Sequence, residues 1–167
     1  MLGIIGAMDQ EVNILKEKME VKKIDKRASM EFYVGILNGK DVVIVKCGVG
    51  KVNAAVCTQI LADCYQVEAV INTGVAGSLR AEINIGDIVV STDALQHDMD
   101  ATGFGYEPAE IPLMGKKTFE ANMLKEDLIW QSNMTNNLNL MQSSTIKIIK
   151  ISEYVDVQKI LASDTAH

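Results

Sequence analysis

The sequence predicts an α/β fold with a largely parallel sheet. Three observations carry that reading. Short apolar runs at Leu2–Ile5 and Val70–Asn72 end in turns of glycine and small residues. Stretches of helical period follow or precede them, and an Asn38-Gly39 pair sits between two further apolar runs. Strands alternating with helical patterns favour parallel pairing, and ligands in such folds sit beyond the carboxyl ends of the strands. A length of 167 residues gives one domain as the expectation.

In chain order, Leu2–Ile5 reads as a buried strand ending at Gly6. Residues 9–19 read as a helix, with Met8, Val12, Leu15 and Met19 on one face and Asp9 and Glu11 in the first turn, where acids suit the helix dipole. Glu31–Leu37 and Asp41–Cys47 flank Asn38-Gly39 as a hairpin, because both central residues of a type I′ turn need positive φ. Gly48-Val49-Gly50 turns the chain into a helix over roughly 51–64, with Val52, Ala55, Val56 and Ile60 expected to face inward. Val70-Ile71-Asn72 is a second buried strand running into Thr73–Ser78, a loop of small residues. Gly86–Val90 opens a further strand, and Thr102–Pro112 is a loop rich in aromatic residues and proline.

Composition narrows the function. Basic residues number 16 and acidic ones 22, a net charge of −6 that argues against a nucleic-acid or anionic-membrane binder. Met1–Gly6 lacks the basic start of a secretory signal, and the longest uncharged stretch, 128–146, is too polar for a membrane span. Cys47, Cys57 and Cys64 form an odd set without a CxxC, so a reducing cytoplasm is expected. His97 and His167 are the two histidines, and no cluster has metal-ligand spacing.

One shift divides the chain. All 12 glycines lie between Gly3 and Gly115 and both prolines are Pro108 and Pro112, whereas residues 123–167 hold neither and carry an asparagine-rich tract. Residues 1–122 therefore read as a well-specified part and 123–167 as a divergent tail, such as a frameshift after about Asn122 would leave. Translating the other downstream reading frames is the check. Within the tail, Ile146, Ile148, Ile149 and Ile151 suggest one strand, and its poor alternation suggests a sheet edge.

Three glycine-bearing turns follow apolar strands: Gly6-Ala7-Met8, Gly48-Val49-Gly50 and Gly74-Val75-Ala76-Gly77. Each lets a ligand approach the backbone, and each also serves turn geometry alone. Gly48-Val49-Gly50-Lys51 lacks the spacing of a phosphate-binding P-loop. Glu11 reads either as an acid on the helix dipole or as a carboxylate base at the strand ends. His97, Asp98 and Asp100 read as a solvated acidic loop or an acid–base site. Phe104, Tyr106 and Pro112 form either a local cover over the core or a rim that meets a flat ring or a partner.

Gly3–Val12, Gly48–Ala55, Ile71–Gly77, Gly86–Ser91 and His97–Tyr106, in this order, resemble the 5′-methylthioadenosine/S-adenosylhomocysteine nucleosidases over residues 1–122. The resemblance implies a purine nucleoside phosphorylase-like mixed sheet flanked by helices, incomplete at its C-terminal side. It implies hydrolysis of the N-glycosidic bond between adenine and a 5′-thio-substituted ribose, as in methionine salvage, without metal or organic cofactor. Glu11 matches the carboxylate that activates water. Val49 matches an apolar contact near the ribose and thioalkyl group, Met8 is expected among the substrate-binding residues, and Val75, Ala76 and Gly77 match the adenine-side wall. Phe104 and Pro112 match residues that reach across a homodimer to the partner's thioalkyl pocket. The family's Ser-Gly-Asp and Met-Glu-Gly-Ala segments have no counterpart here, and Leu161-Ala162-Ser163-Asp164 echoes its Arg-Ala-Ile-Ser-Asp segment. Two alternatives stay open: a non-catalytic module that binds adenine nucleosides or pairs with a full-length subunit, and a phosphorylase, for which Arg80 is the one arginine near these turns.

Overall fold

A computed structural model describes residues 1–77, 81–84, 88–91, 93–121 and 144–150. The elements are β1 (Leu2–Gly6), α1 (Asp9–Lys18), β2 (Glu20–Arg27), β3 (Met30–Leu37), β4 (Lys40–Lys46), α2 (Lys51–Tyr65), β5 (Ala69–Val75), β6 (Ile88–Val90), β7 (Asp93–Leu95), β8 (Thr118–Glu120) and β9 (Ser144–Lys150), with a 3₁₀ turn at Thr102–Phe104. Seven strands form a mixed sheet in the order β2-β3-β4-β1-β5-β9-β6, and β7 pairs with β8 apart from it.

The middle of the sheet explains the rest. β1 pairs in parallel with β4 on one side and with β5 on the other. Its residues Ile4 and Ile5 are both buried, as a strand covered on two faces requires. Successive residues alternate between two apolar clusters. Ile5, Val43, Val45 and Val70 join Phe32, Cys57 and Leu61 on the α2 side. Ile4, Val42, Ile44 and Ile71 join Val12, Leu15 and Met19 on the α1 side. The two helices therefore cover opposite faces of the sheet.

The β3–β4 hairpin turns at Asn38 and Gly39, with φ of 49° and 75°, as a type I′ turn demands. The hairpin before it was not legible. β2 and β3 turn through Ala28 and Ser29, with φ of 47° and 64° and no glycine. β2 is a lysine-bearing edge strand, exposed along almost its whole length, so it has little apolar pattern to read.

Two expectations need correction. The inward face of α2 is Ala54, Cys57, Thr58 and Leu61; Ile60 is half-buried and packs against the same core, as expected, whereas Val52 and Val56 face outward at 77% and 40% exposure and Ala55 is half-buried. Two faces of this helix carry apolar side chains, so period alone does not select one. The tail strand is also not an edge. β9 lies between β5, antiparallel to it, and β6, parallel to it. β6 covers only Ser144–Ile146. A strand inserted out of chain order leaves no local signal. Gly86, Asp87 and Ile151 lie outside the described residues.

Two results follow from this packing. Leu61→Ala should lower the unfolding free energy by about 2–5 kcal/mol, and Val52→Thr should change it by less than about 0.5 kcal/mol, as measured by urea titration. Burial pushes the Cys57 thiol well above its usual range, and Cys47 is buried too, whereas Cys64 is exposed. A maleimide reagent should modify Cys64 in the native protein, and Cys47 and Cys57 only after denaturation, which mass spectrometry of tryptic peptides reads.

Candidate functional site

The parallel trio β4-β1-β5 presents its carboxyl ends together. The loop after β1 carries Ala7 and Met8, the loop after β4 carries Gly48–Gly50, and β5 ends at Gly74 and Val75. Cys47 ties two of them: its N–H donates to the Gly6 carbonyl at 2.9 Å, and its thiol lies 3.3 Å from the same oxygen. Lys46, at the end of β4, pairs with Asp9 at the start of α1 at 2.8 Å. That hydrogen bond from the ammonium to Asp9 holds the Lys46 pKa above its ordinary value.

A pocket opens at this edge, lined by Ala7, Met8, Glu11, Val49, Gly50, Asn72, Thr73, Gly74 and Val75. Glu11 is the charged residue among them and is only 4% exposed. A buried carboxylate is costly unless donors meet it. Here two do. The Met8 N–H donates to Oε2 at 2.8 Å, reaching back across the first turn of α1. The Val75 N–H donates to Oε1 at 3.1 Å from the end of β5. The reading of Glu11 as a helix-start acid and the reading as a pocket carboxylate thus describe one side chain with two tasks. A carboxylate offers about four lone-pair sites, so these two bonds leave acceptor capacity for a water facing the pocket.

Glycine is required at one point of this arrangement. A Cβ on Gly74 would lie 2.8 Å from Glu11 Oε1, closer than real Cβ contacts come. Any side chain there displaces the carboxylate from the Val75 N–H.

The structure brings Met8, Glu11, Val49 and Val75 into this one pocket. Ala76 and Gly77 continue from Val75 and are exposed, and they are not among its lining residues. Phe104 is 88% exposed and Pro112 half-buried, both in the segment between β7 and β8 and both away from the pocket lining on this chain. Arg80 and Leu161–Asp164 lie outside the described residues. Asp98 is paired with Lys51, and Asp100 accepts hydrogen bonds from the Thr102 N–H and hydroxyl, as a solvated acidic loop would. No group of three metal-ligating side chains occurs among the described residues. Asn72 and Thr73 were not singled out from the sequence, and Gly74 was read only as part of a glycine-bearing turn that a ligand can approach. Their signal was position, directly before Val75 at the carboxyl end of a buried strand.

The phosphorylase superfamily matches residues 1–127. A 5′-methylthioadenosine/S-adenosylhomocysteine nucleosidase of Staphylococcus aureus (strain JH9) is 39% identical over 162 residues, 95% of this chain and 71% of that protein. The chain belongs to this nucleosidase family. Two solved members are similar in fold. The Neisseria meningitidis nucleosidase, in complex with methylthio-immucillin-A, has a TM-score of 0.73 and 34% identity over 82% of this chain. The Colwellia psychrerythraea nucleosidase, in complex with adenine, has a TM-score of 0.72 and 40% identity over 86% of this chain. The chain spans 59% of the length of each of these two nucleosidases. The family fold, a mixed sheet flanked by helices, is the one seen here.

Gly74→Ala should break the bond between the Val75 N–H and Glu11. Hydrogen exchange at the Val75 amide should then become faster than in the native protein, while exchange at Cys47, bonded to Gly6 on the other side of the pocket, should stay unchanged.

Proposed function

We propose that the chain hydrolyses the N-glycosidic bond of 5′-methylthioadenosine and S-adenosylhomocysteine, with Glu11 as the base. The observation that carries this reading is the buried Glu11 carboxylate, held by two backbone N–H groups in a pocket at the carboxyl ends of β1 and β5. Kinship with nucleosidases of that specificity supports the substrate class. In the proposed step Glu11 takes a proton from a water whose oxygen attacks the anomeric carbon. The bond from that carbon to adenine nitrogen breaks, adenine departs with the bonding pair and takes up a proton from solvent, and Glu11 releases its own proton to solvent. Positive charge grows on the ribose meanwhile, and a fixed carboxylate beside it lowers the barrier. Val49 and Met8 serve as the apolar wall for ribose and the thioalkyl group. Val75, Ala76 and Gly77 serve as the adenine side, where a small-residue backbone lets a planar base lie close. No metal or organic cofactor enters this step.

The reading extends to a partner and a place. A second copy of the chain is the partner we propose, with Phe104 and Pro112 reaching its pocket; the exposure of Phe104 and Leu113 on one segment supports this. A cytoplasmic setting is supported by Cys47, Cys57 and Cys64, none of which forms a disulfide.

A binding module without turnover is the second reading. It is favoured by the fact that every lining residue of the pocket falls within the first 75 residues, whereas the family's later acidic segments have no described counterpart. Adenine release from methylthioadenosine, measured beside a calorimetric titration, separates the two. Glu11→Gln should lower turnover about 10²-fold or more, the usual scale for a lost general base, with adenine release in the native chain independent of phosphate. Undiminished release by this variant would remove Glu11 from the mechanism, and binding without release would establish the module.

A further inference from the structure

The segment between β7 and β8, residues 96–117, is organised largely by itself. The Met99 N–H donates to the Gln96 carbonyl, Ala109 N–H to the Met99 carbonyl, and Phe104 N–H to the Ala101 carbonyl. Glu110 accepts from the Glu107 N–H, and Glu107 pairs with Lys117. One ion pair carries this segment to the pocket side of the molecule: Asp98, in its first turn, meets Lys51, the first residue of α2.

Lys51 directly follows the pocket wall of Val49 and Gly50. That wall is intrinsically loose. Gly48 and Gly50 both have positive φ, at 89° and 101°, and Val49 between them is 72% exposed. A short stretch with two glycines samples many conformations unless something holds it. Two contacts do. The Asn53 amide donates to the Val49 carbonyl at 2.7 Å from within α2. The Lys51–Asp98 pair holds the other end to a second segment. The Lys51 hydrogen bond keeps the Asp98 carboxyl below the usual carboxylate range.

We propose that Lys51 and Asp98 are positioning residues: their ion pair joins the 96–117 segment to the Val49–Gly50 wall, so that the two move as one and the wall is set for the sugar end of an adenine nucleoside. The pair touches no reacting atom. It acts through Val49 and therefore on substrate affinity rather than on the bond-breaking step. This inference rests on the nucleosidase reading for the identity of the ligand but not for the coupling itself.

The coupling is measured first, without ligand, by amide hydrogen exchange of the full chain. Lys51→Met should speed exchange at Ala54 in α2 and also at Phe104 and Ala109 across the pair, by about two- to five-fold, the scale of a half-exposed ion pair. Asp98→Asn should do the same on both sides. Lys51→Arg and the charge-swapped Lys51→Asp/Asp98→Lys chain should restore protection. Exchange that changes only on the mutated side would overturn the proposal. With methylthioadenosine as substrate, Lys51→Met should raise KM about two- to five-fold with kcat unchanged, and the difference from the native chain should shrink in high salt. A fall in kcat at constant KM, or a KM effect insensitive to salt, would also overturn it. Should the native chain neither bind nor cleave methylthioadenosine, the nucleosidase reading fails, and the exchange experiment still decides the coupling.

Discussion

One carboxylate joins the two halves of the site. Glu11 lies in the first turn of α1, yet its side chain accepts from Val75, 64 residues later at the end of β5. It also accepts from Met8 at the start of its own helix. Burial to 4% exposure makes these bonds obligatory, since an unmet charge in that position is far more costly than the net gain of a hydrogen bond. The loop after β1 and the end of β5 are therefore held in one geometry by the same group that can serve as a base. The chemistry and the local architecture are not separable here.

That constraint propagates outward. For Glu11 to reach Val75, β1 and β5 must be adjacent and parallel, which they are from Leu2–Ala69 to Ile5–Asn72. For the carboxylate to fit, residue 74 must lack a side chain. For the third loop to close the pocket, β4 must end beside β1, and the Cys47–Gly6 bonds hold it there. The two apolar clusters on opposite faces of β1, β4 and β5 then fix the sheet on which all three loops stand. Nothing in this chain of dependence extends beyond residue 75.

This explains what was legible in the sequence. β1, α1, the Asn38-Gly39 hairpin and the first part of β5 read out because local pattern and tertiary role agree in them. Glu11 was visible as a residue of interest, but two readings stayed open, because sequence shows the helix-start position and not the Val75 N–H that meets the far oxygen. The face of α2 was misread at Val52 and Val56, which are as apolar as the buried Ala54, Cys57 and Leu61, whereas Ile60 does pack against the core. β2 was missed because an edge strand that is charged and exposed along almost its whole length hides its pairing. The insertion of β9 between β5 and β6 is a matter of topology, which no local pattern encodes.

The central claim is that the pocket around Glu11 receives an adenine thio-nucleoside. Backbone amide NMR during titration with methylthioadenosine tests it most directly, because it reports place as well as affinity and does not need turnover. The account predicts saturable shifts at Met8, Glu11, Val49, Gly74 and Val75, with Val21 and Ile24 on the β2 edge unmoved. Saturable shifts centred away from these residues, or no shifts at millimolar ligand in a folded protein, would contradict it.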